Sequence, residues 1–194
     1  GIGGDTAYDM NKRLDGDIFP MKPSVLMVTF GMNDSGYFEY NGDNPKEFGE
    51  QKYQESIKNY QQMEKRFKEL PNTRIVMVGT SPYDETAQLK ENAPFKTKNE
   101  TIKRIVEYQK ESAARNNWEF TDLNAPMVAL NQQNQQKDPA FTLCGNDRIH
   151  PDNDGHMVMA YLFLKAQGFV GKEVADMEIN ANKKQAVKAE NCTI

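Results

Sequence analysis

Two kinds of apolar pattern alternate along the chain. Ser24-Val-Leu-Met-Val-Thr-Phe30 is a continuous apolar run stopped at Gly31, which predicts a strand buried on both faces. Arg74-Ile-Val-Met-Val-Gly79 repeats the pattern, and Trp118-Glu-Phe-Thr-Asp122 predicts a third, shorter strand. Between these runs the spacing changes to three and four. Tyr53, Ile57, Tyr60, Met63, Phe67 and Leu70 mark an amphipathic helix closed by Pro71. Ile102, Ile105, Val106 and Ala113 mark a second long helix ending near Asn116. A short helix from Asp5 or Thr6 to about Leu14 opens the chain, and Asp15-Gly16-Asp17 ends it. Asn124 to about Gln136 predicts a short helix. Met157, Ala160, Tyr161 and Leu164 mark a last one, stopped at Gly168.

Strands alternating with helices imply an α/β sandwich, with a parallel sheet covered on both faces and sites at the carboxyl ends of the strands. After about Gly171 the alternation stops. Val174–Asn180 and Gln185–Glu190 predict short polar strands joined by a turn at Asn182-Lys183, either an edge hairpin or, the favoured reading, entry into a further domain. The expected division is therefore residues 1–171 as an α/β domain and 172–194 as a C-terminal extension. No glycine-rich turn normally opens a domain without a leading strand, so Gly1-Ile-Gly-Gly-Asp-Thr6 suggests a piece of a longer polypeptide.

Composition removes several classes. The formal charge of −4 combines 24 basic with 28 acidic residues. A nucleic-acid binder would carry a basic face, so none is expected. No apolar run approaches the ~20 residues of a membrane span. Two cysteines, Cys144 and Cys192, are too few for a disulfide scaffold.

Chemistry concentrates in Cys144-Gly-Asn-Asp-Arg-Ile-His-Pro-Asp-Asn-Asp-Gly155, which holds His150, one of only two histidines. A histidine held by a carboxylate is the general base of nucleophilic acyl transfer. By itself Asp147-x-x-His150 also suits a helix cap beside a solvated imidazole. The other polar blocks favour the first use. Gly4 falls in the turn opening the first helix, and Gly31-Met-Asn-Asp34 directly follows a strand. A parallel sheet gathers both at the edge that carries the His150 loop. The Gly4 amide and the Asn33 side chain can each donate to a developing oxyanion. Asp34 is expected to fix its loop rather than act as an acid. Tyr37, Phe38 and Tyr40 suit either a sugar-stacking wall or a loop anchor. Asp152-Asn-Asp-Gly155 fails the calcium-loop pattern, because His150 stands where the first aspartate should be.

Gly1-Ile-Gly-Gly-Asp-Thr6, Gly31-Met-Asn-Asp34 and Asp147-Arg-Ile-His-Pro151 resemble the second, third and fifth blocks of the SGNH (GDSL-type) hydrolase family. The resemblance covers roughly residues 1–170, and its first block is similar to the branch of acetylhydrolases and bacterial carbohydrate O-acetylesterases. It implies a three-layer, flavodoxin-like αβα fold whose first strand is absent from this chain. It also implies a serine triad completed by His150 and Asp147, and an oxyanion hole that includes Gly4 and Asn33. No metal or cofactor is implied. The expected partners are a small-molecule or carbohydrate ester and other domains of the same polypeptide, in a secreted or periplasmic bacterial protein.

The family's Gly-Asp-Ser block is missing. Ser24, Ser35, Ser56, Ser81 and Ser112 all lack a nucleophile's context. The expectation is an esterase whose nucleophile lies on another segment, so that these residues alone are inactive. The alternative is a glycan- or partner-binding module that has lost its nucleophile.

Overall fold

A computed structural model describes residues 2–193. The two strongest apolar runs and the short third one form parallel strands β1 (Val25–Phe30), β2 (Arg74–Gly79) and β3 (Glu119–Asp122), in the order β1-β2-β3. Pairing in register places Leu26 beside Ile75 and Val28 beside Met77. These side chains share one face with Phe30. There they pack against Tyr60, Met63 and Phe67 of helix α2 (Pro45–Phe67), Ile105 and Ala113 of α3 (Lys98–Asn116), and Ala7 of α1 (Ala7–Lys12). Val76 and Val78 point the other way. They meet Met127 of α4 (Asn124–Gln135) together with Val158, Met159, Leu162 and Phe163 of α5 (Asn153–Ala166). The result is the expected α/β architecture, with helices on both faces of a parallel sheet and β2 at its centre.

Two expectations about burial fail. β1 is not covered on both faces: Leu26, Val28 and Phe30 are buried, whereas Val25, Met27 and Thr29 are exposed, Met27 at 58%. The helices that cover Val76 and Val78 do not extend over the neighbouring Met27 and Thr29. In α5 the stripe Met157, Tyr161 and Leu164 is exposed, and the inward face is Val158, Met159, Leu162 and Phe163. That helix is apolar all round, so periodicity alone did not select its face. Smaller differences occur at ends. α1 stops at Lys12 and runs into a single π turn, Leu14–Ile18, with Gly16 inside it. α2 ends at Phe67, so Leu70 falls just beyond it.

Two compact units divide the chain, Gly1–Phe163 and Leu164–Ile194. In the second, β4 (Asp176–Asn180) and β5 (Gln185–Glu190) pair antiparallel as their own two-stranded sheet.

Candidate active site

Buried Asp34 ties the turn before α1 to the loop after β1. Its carboxylate accepts from the amides of Ala7 (3.0 Å) and Gly31 (3.1 Å) and from the Ser56 hydroxyl of α2 (3.2 Å). Burial raises its pKa, and these donors work against the rise. The Asn33 Nδ2 then donates to the Asp5 carbonyl at 3.0 Å, so the two polar blocks are stitched side by side. Gly4 lies in this turn at φ +86°, a conformation that favours glycine. A Cβ added there would meet nothing within 4 Å, so backbone conformation, not crowding, requires the glycine. Its amide donates to no acceptor among the described residues.

Asp147 and His150 meet as the spacing predicts. The His150 Nδ1 lies 2.6 Å from Asp147 Oδ2, and Asp147 Oδ1 accepts the amides of Ile149 and His150 at 2.9 Å each. Desolvation acts to raise the Asp147 pKa, but the His150 ring and these amides outweigh it, and the carboxyl falls below its ordinary value. The ionised form that orients an imidazole is thereby favoured. The His150 side chain is 81% exposed, and its Nε2 forms no hydrogen bond among the described residues.

The loop beneath this pair is firmly built. Arg148, between the two polar residues, is buried at φ +66°. Its guanidinium donates to the carbonyls of Asn92 (2.8 Å), Asp84 (3.0 Å) and Ala87 (2.9 Å). Gly145 sits at φ +67°, where a Cβ would come 2.4 Å from the His150 carbonyl oxygen. A Cβ at Gly155 would lie 2.2 Å from the Leu143 carbonyl oxygen. Burial pushes the Cys144 thiol up to about 12, and the thiol donates to Pro82 O, so it is no nucleophile.

Both loops rest on one apolar cluster. Met32 and Ile149 pack against buried Tyr83, Ile102 and Val106. This shared support sets Asn33 and His150 on the same carboxyl edge of the sheet. Three residues hold the arrangement: Tyr37, expected as part of a stacking wall or a loop anchor, and two that the sequence does not single out, Lys98 and Arg148. Tyr37 donates its hydroxyl to Asn33 Oδ1 at 2.5 Å. Lys98, fully buried at the start of α3, donates to Met32 O, Ser35 Oγ and Gly36 O. Arg148 is the third. Nothing local marks Lys98 or Arg148, since long cations are ordinarily solvated. Of the expected aromatic wall, Tyr40 is buried and bonds Ser35 O and Thr101, so it anchors the loop. Phe38 is 79% exposed, edge-on to Phe95.

None of the chain's serines is placed to attack. Ser35, Ser56 and Ser112 are buried and hydrogen-bonded to Met32 O, Asp34 and Tyr60. Ser81 is buried, and Ser24 lies at the amino end of β1, opposite the site.

A GDSL-like lipase/acylhydrolase family profile matches residues 1–158. Among solved structures, a gut microbial diltiazem-metabolizing enzyme is 86% identical at a TM-score of 0.89, over 100% of this chain and 44% of that one. The chain thus spans less than half the length of that relative. A catalytic mutant of an acetylxylan esterase from Geobacillus stearothermophilus is 23% identical at TM-score 0.65, over 87% of this chain and 70% of that one. An acetyl xylan esterase is 22% identical at TM-score 0.63, with 86% and 78% covered. The last two show the fold. A comparison with curated proteins gives no match. With four-fifths of its length under one family profile and the blocks gathered on one sheet edge, the chain belongs to the GDSL-like lipase/acylhydrolase family.

Proposed function

We propose that this domain hydrolyses carboxylic esters through an acyl-serine intermediate and that its substrates are O-acetylated carbohydrates. The serine is supplied by a segment outside these 194 residues. One observation carries the reading: a carboxylate fixed by two backbone amides holds the His150 Nδ1 at 2.6 Å and leaves Nε2 facing solvent. β1 is compatible with an external serine-bearing strand, because among the described residues it pairs with β2 alone. A cavity of about 470 Å³ runs beside that strand from Ile18 to Asn33.

In the reaction, His150 Nε2 takes the serine proton as Oγ bonds to the ester carbon. The Gly4 amide and Asn33 Nδ2 receive the resulting oxyanion. Collapse breaks the bond to the alcohol, which leaves with the proton from His150. Water, deprotonated by the same nitrogen, then releases acetate and restores the serine.

The carbohydrate assignment draws on exposed Phe38, edge-on to half-buried Phe95 beside the site, and on the two acetylxylan esterases of like fold. The highly identical relative, named for metabolizing diltiazem, makes that drug the competing substrate. The test is acetate release by the full-length polypeptide from acetylated xylo-oligosaccharides and from p-nitrophenyl acetate, with diltiazem turnover followed by chromatography. His150→Ala should lower kcat by about 10⁶-fold on whichever substrate is used. Near-normal turnover in that variant would overturn the mechanism, and turnover of diltiazem alone would overturn the carbohydrate assignment.

A further inference from the structure

We infer that Tyr37, braced by Lys98, is a positioning residue that sets which way the side-chain amide of Asn33 faces, and so makes it an oxyanion donor. This rests on the esterase reading above. An asparagine amide presents a donor on one side and an acceptor on the other, and a half-turn exchanges them. Only one orientation serves an oxyanion. Here Nδ2 gives one hydrogen to Asp5 O at 3.0 Å, and Oδ1 receives the Tyr37 hydroxyl at 2.5 Å. Turning the amide over would set Oδ1 against the Asp5 carbonyl, acceptor against acceptor. It would also forfeit the hydroxyl's donation to Oδ1. The observed orientation leaves the second Nδ2 hydrogen uncommitted. A donor on Oδ1 also polarises the amide and strengthens what its N–H groups can donate.

Tyr37 is held in turn. The Lys98 Nζ lies 3.9 Å from the centre of its ring, and Phe95 meets the ring edge-on at 6.3 Å. Lys98 clamps the backbone on both sides of Asn33 through Met32 O and Gly36 O, and adds Ser35 Oγ. The placement is costly. The ammonium is fully buried, stands in the first turn of α3 where a cation opposes the helix dipole, and bonds no carboxylate among the described residues. Thr97 before it adopts φ +70°, unusual for a β-branched residue, and its amide is fixed by Glu85 Oε2 at 2.8 Å. A buried cation set by strained backbone and spent on carbonyl oxygens contributes shape to this loop, not an ion pair.

The test is a double-mutant cycle in the full-length polypeptide with p-nitrophenyl acetate. Tyr37→Phe keeps the ring on Lys98 and removes only the hydroxyl. It should lower kcat about tenfold, with KM within about twofold. In an Asn33→Ala background the same change should cost nothing further, because a residue that acts through Asn33 has no effect once Asn33 is gone. Equal losses in both backgrounds, or no loss in either, would overturn the inference. His150→Ala run alongside separates the two readings. If it is inactive while Tyr37→Phe is normal, only the role of Tyr37 fails; if it retains turnover, the esterase reading fails and takes this inference with it. A fold-independent check uses the parent protein. The Asn33 side-chain amide should show one proton protected from exchange and one exposed, and two freely exchanging protons would also overturn the inference.

Discussion

The loop after β1 and the loop before α5 face the same edge yet are built in opposite ways. Around Asn33 everything converges on the functional side chain: Nδ2 is bonded, Oδ1 is bonded, and the flanking backbone is clamped from below. Around His150 the backbone is fixed but the ring is left in water, held at one nitrogen only. Each loop depends on a buried cation that spends its donors on carbonyl oxygens. Lys98 reaches into one loop from α3, whereas Arg148 reaches out of the other toward residues 84–92. The difference suits the chemistry. A group that stabilises developing charge works by being fixed before the charge appears. A group that carries a proton between a nucleophile and a leaving group needs one nitrogen free to serve both.

Substitutions can break this contrast. In the full-length polypeptide, His150→Ala, with its loss of about 10⁶-fold, should exceed Asn33→Ala, expected to cost about 10²- to 10³-fold in kcat. If the two variants fell equally far with raised KM, Asn33 would be binding substrate rather than meeting an oxyanion. Arg148→Met should come next. It strips three carbonyls of their donor and should destabilise the fold by about 3 kcal/mol, read from urea midpoints. An unchanged midpoint would show that water replaces the guanidinium and that the loop does not lean on it.

The smallest effect is one of pH. Burial pushes Lys98 down to about 7, while an unfolded lysine stays near 10.4. Between those values the unfolded chain binds more protons than the folded one, so stability rises with pH across that window. The rise is at most about 1.4 kcal/mol per pH unit. Lys98→Met should lack it, so urea melts at pH 7, 8 and 9 should separate the two proteins progressively. Parallel curves would mean that Lys98 keeps an ordinary ammonium.

The sequence was most legible where one rule acted alone. Strand and helix alternation predicted the parallel sheet, and the contact between Asp147 and His150 follows from three residues of separation in a turn. It was least legible where partners are distant. Lys98 meets Met32 across 66 residues, and Arg148 meets Asp84 across 64. No local pattern reports such a partner, and both residues belong to types that ordinarily sit in solvent. β1 and α5 failed for a different reason. Their apolar residues occupy both faces, so the pattern stated that they were apolar without stating which side was covered.

Without the segment that supplies the serine, the side of β1 left bare would carry a hazard of its own. A parallel strand whose second edge is unpaired among the described residues, with Val25 and Met27 exposed, offers other chains both a backbone ladder and a greasy strip to zip onto. Val25, Met27 and Thr29 themselves bring no charge to act as gatekeepers on that face. Left uncovered, it would make self-association concentration-dependent and set colloidal behaviour before chemistry does. A lysine in place of Met27 is the single change that would blunt it.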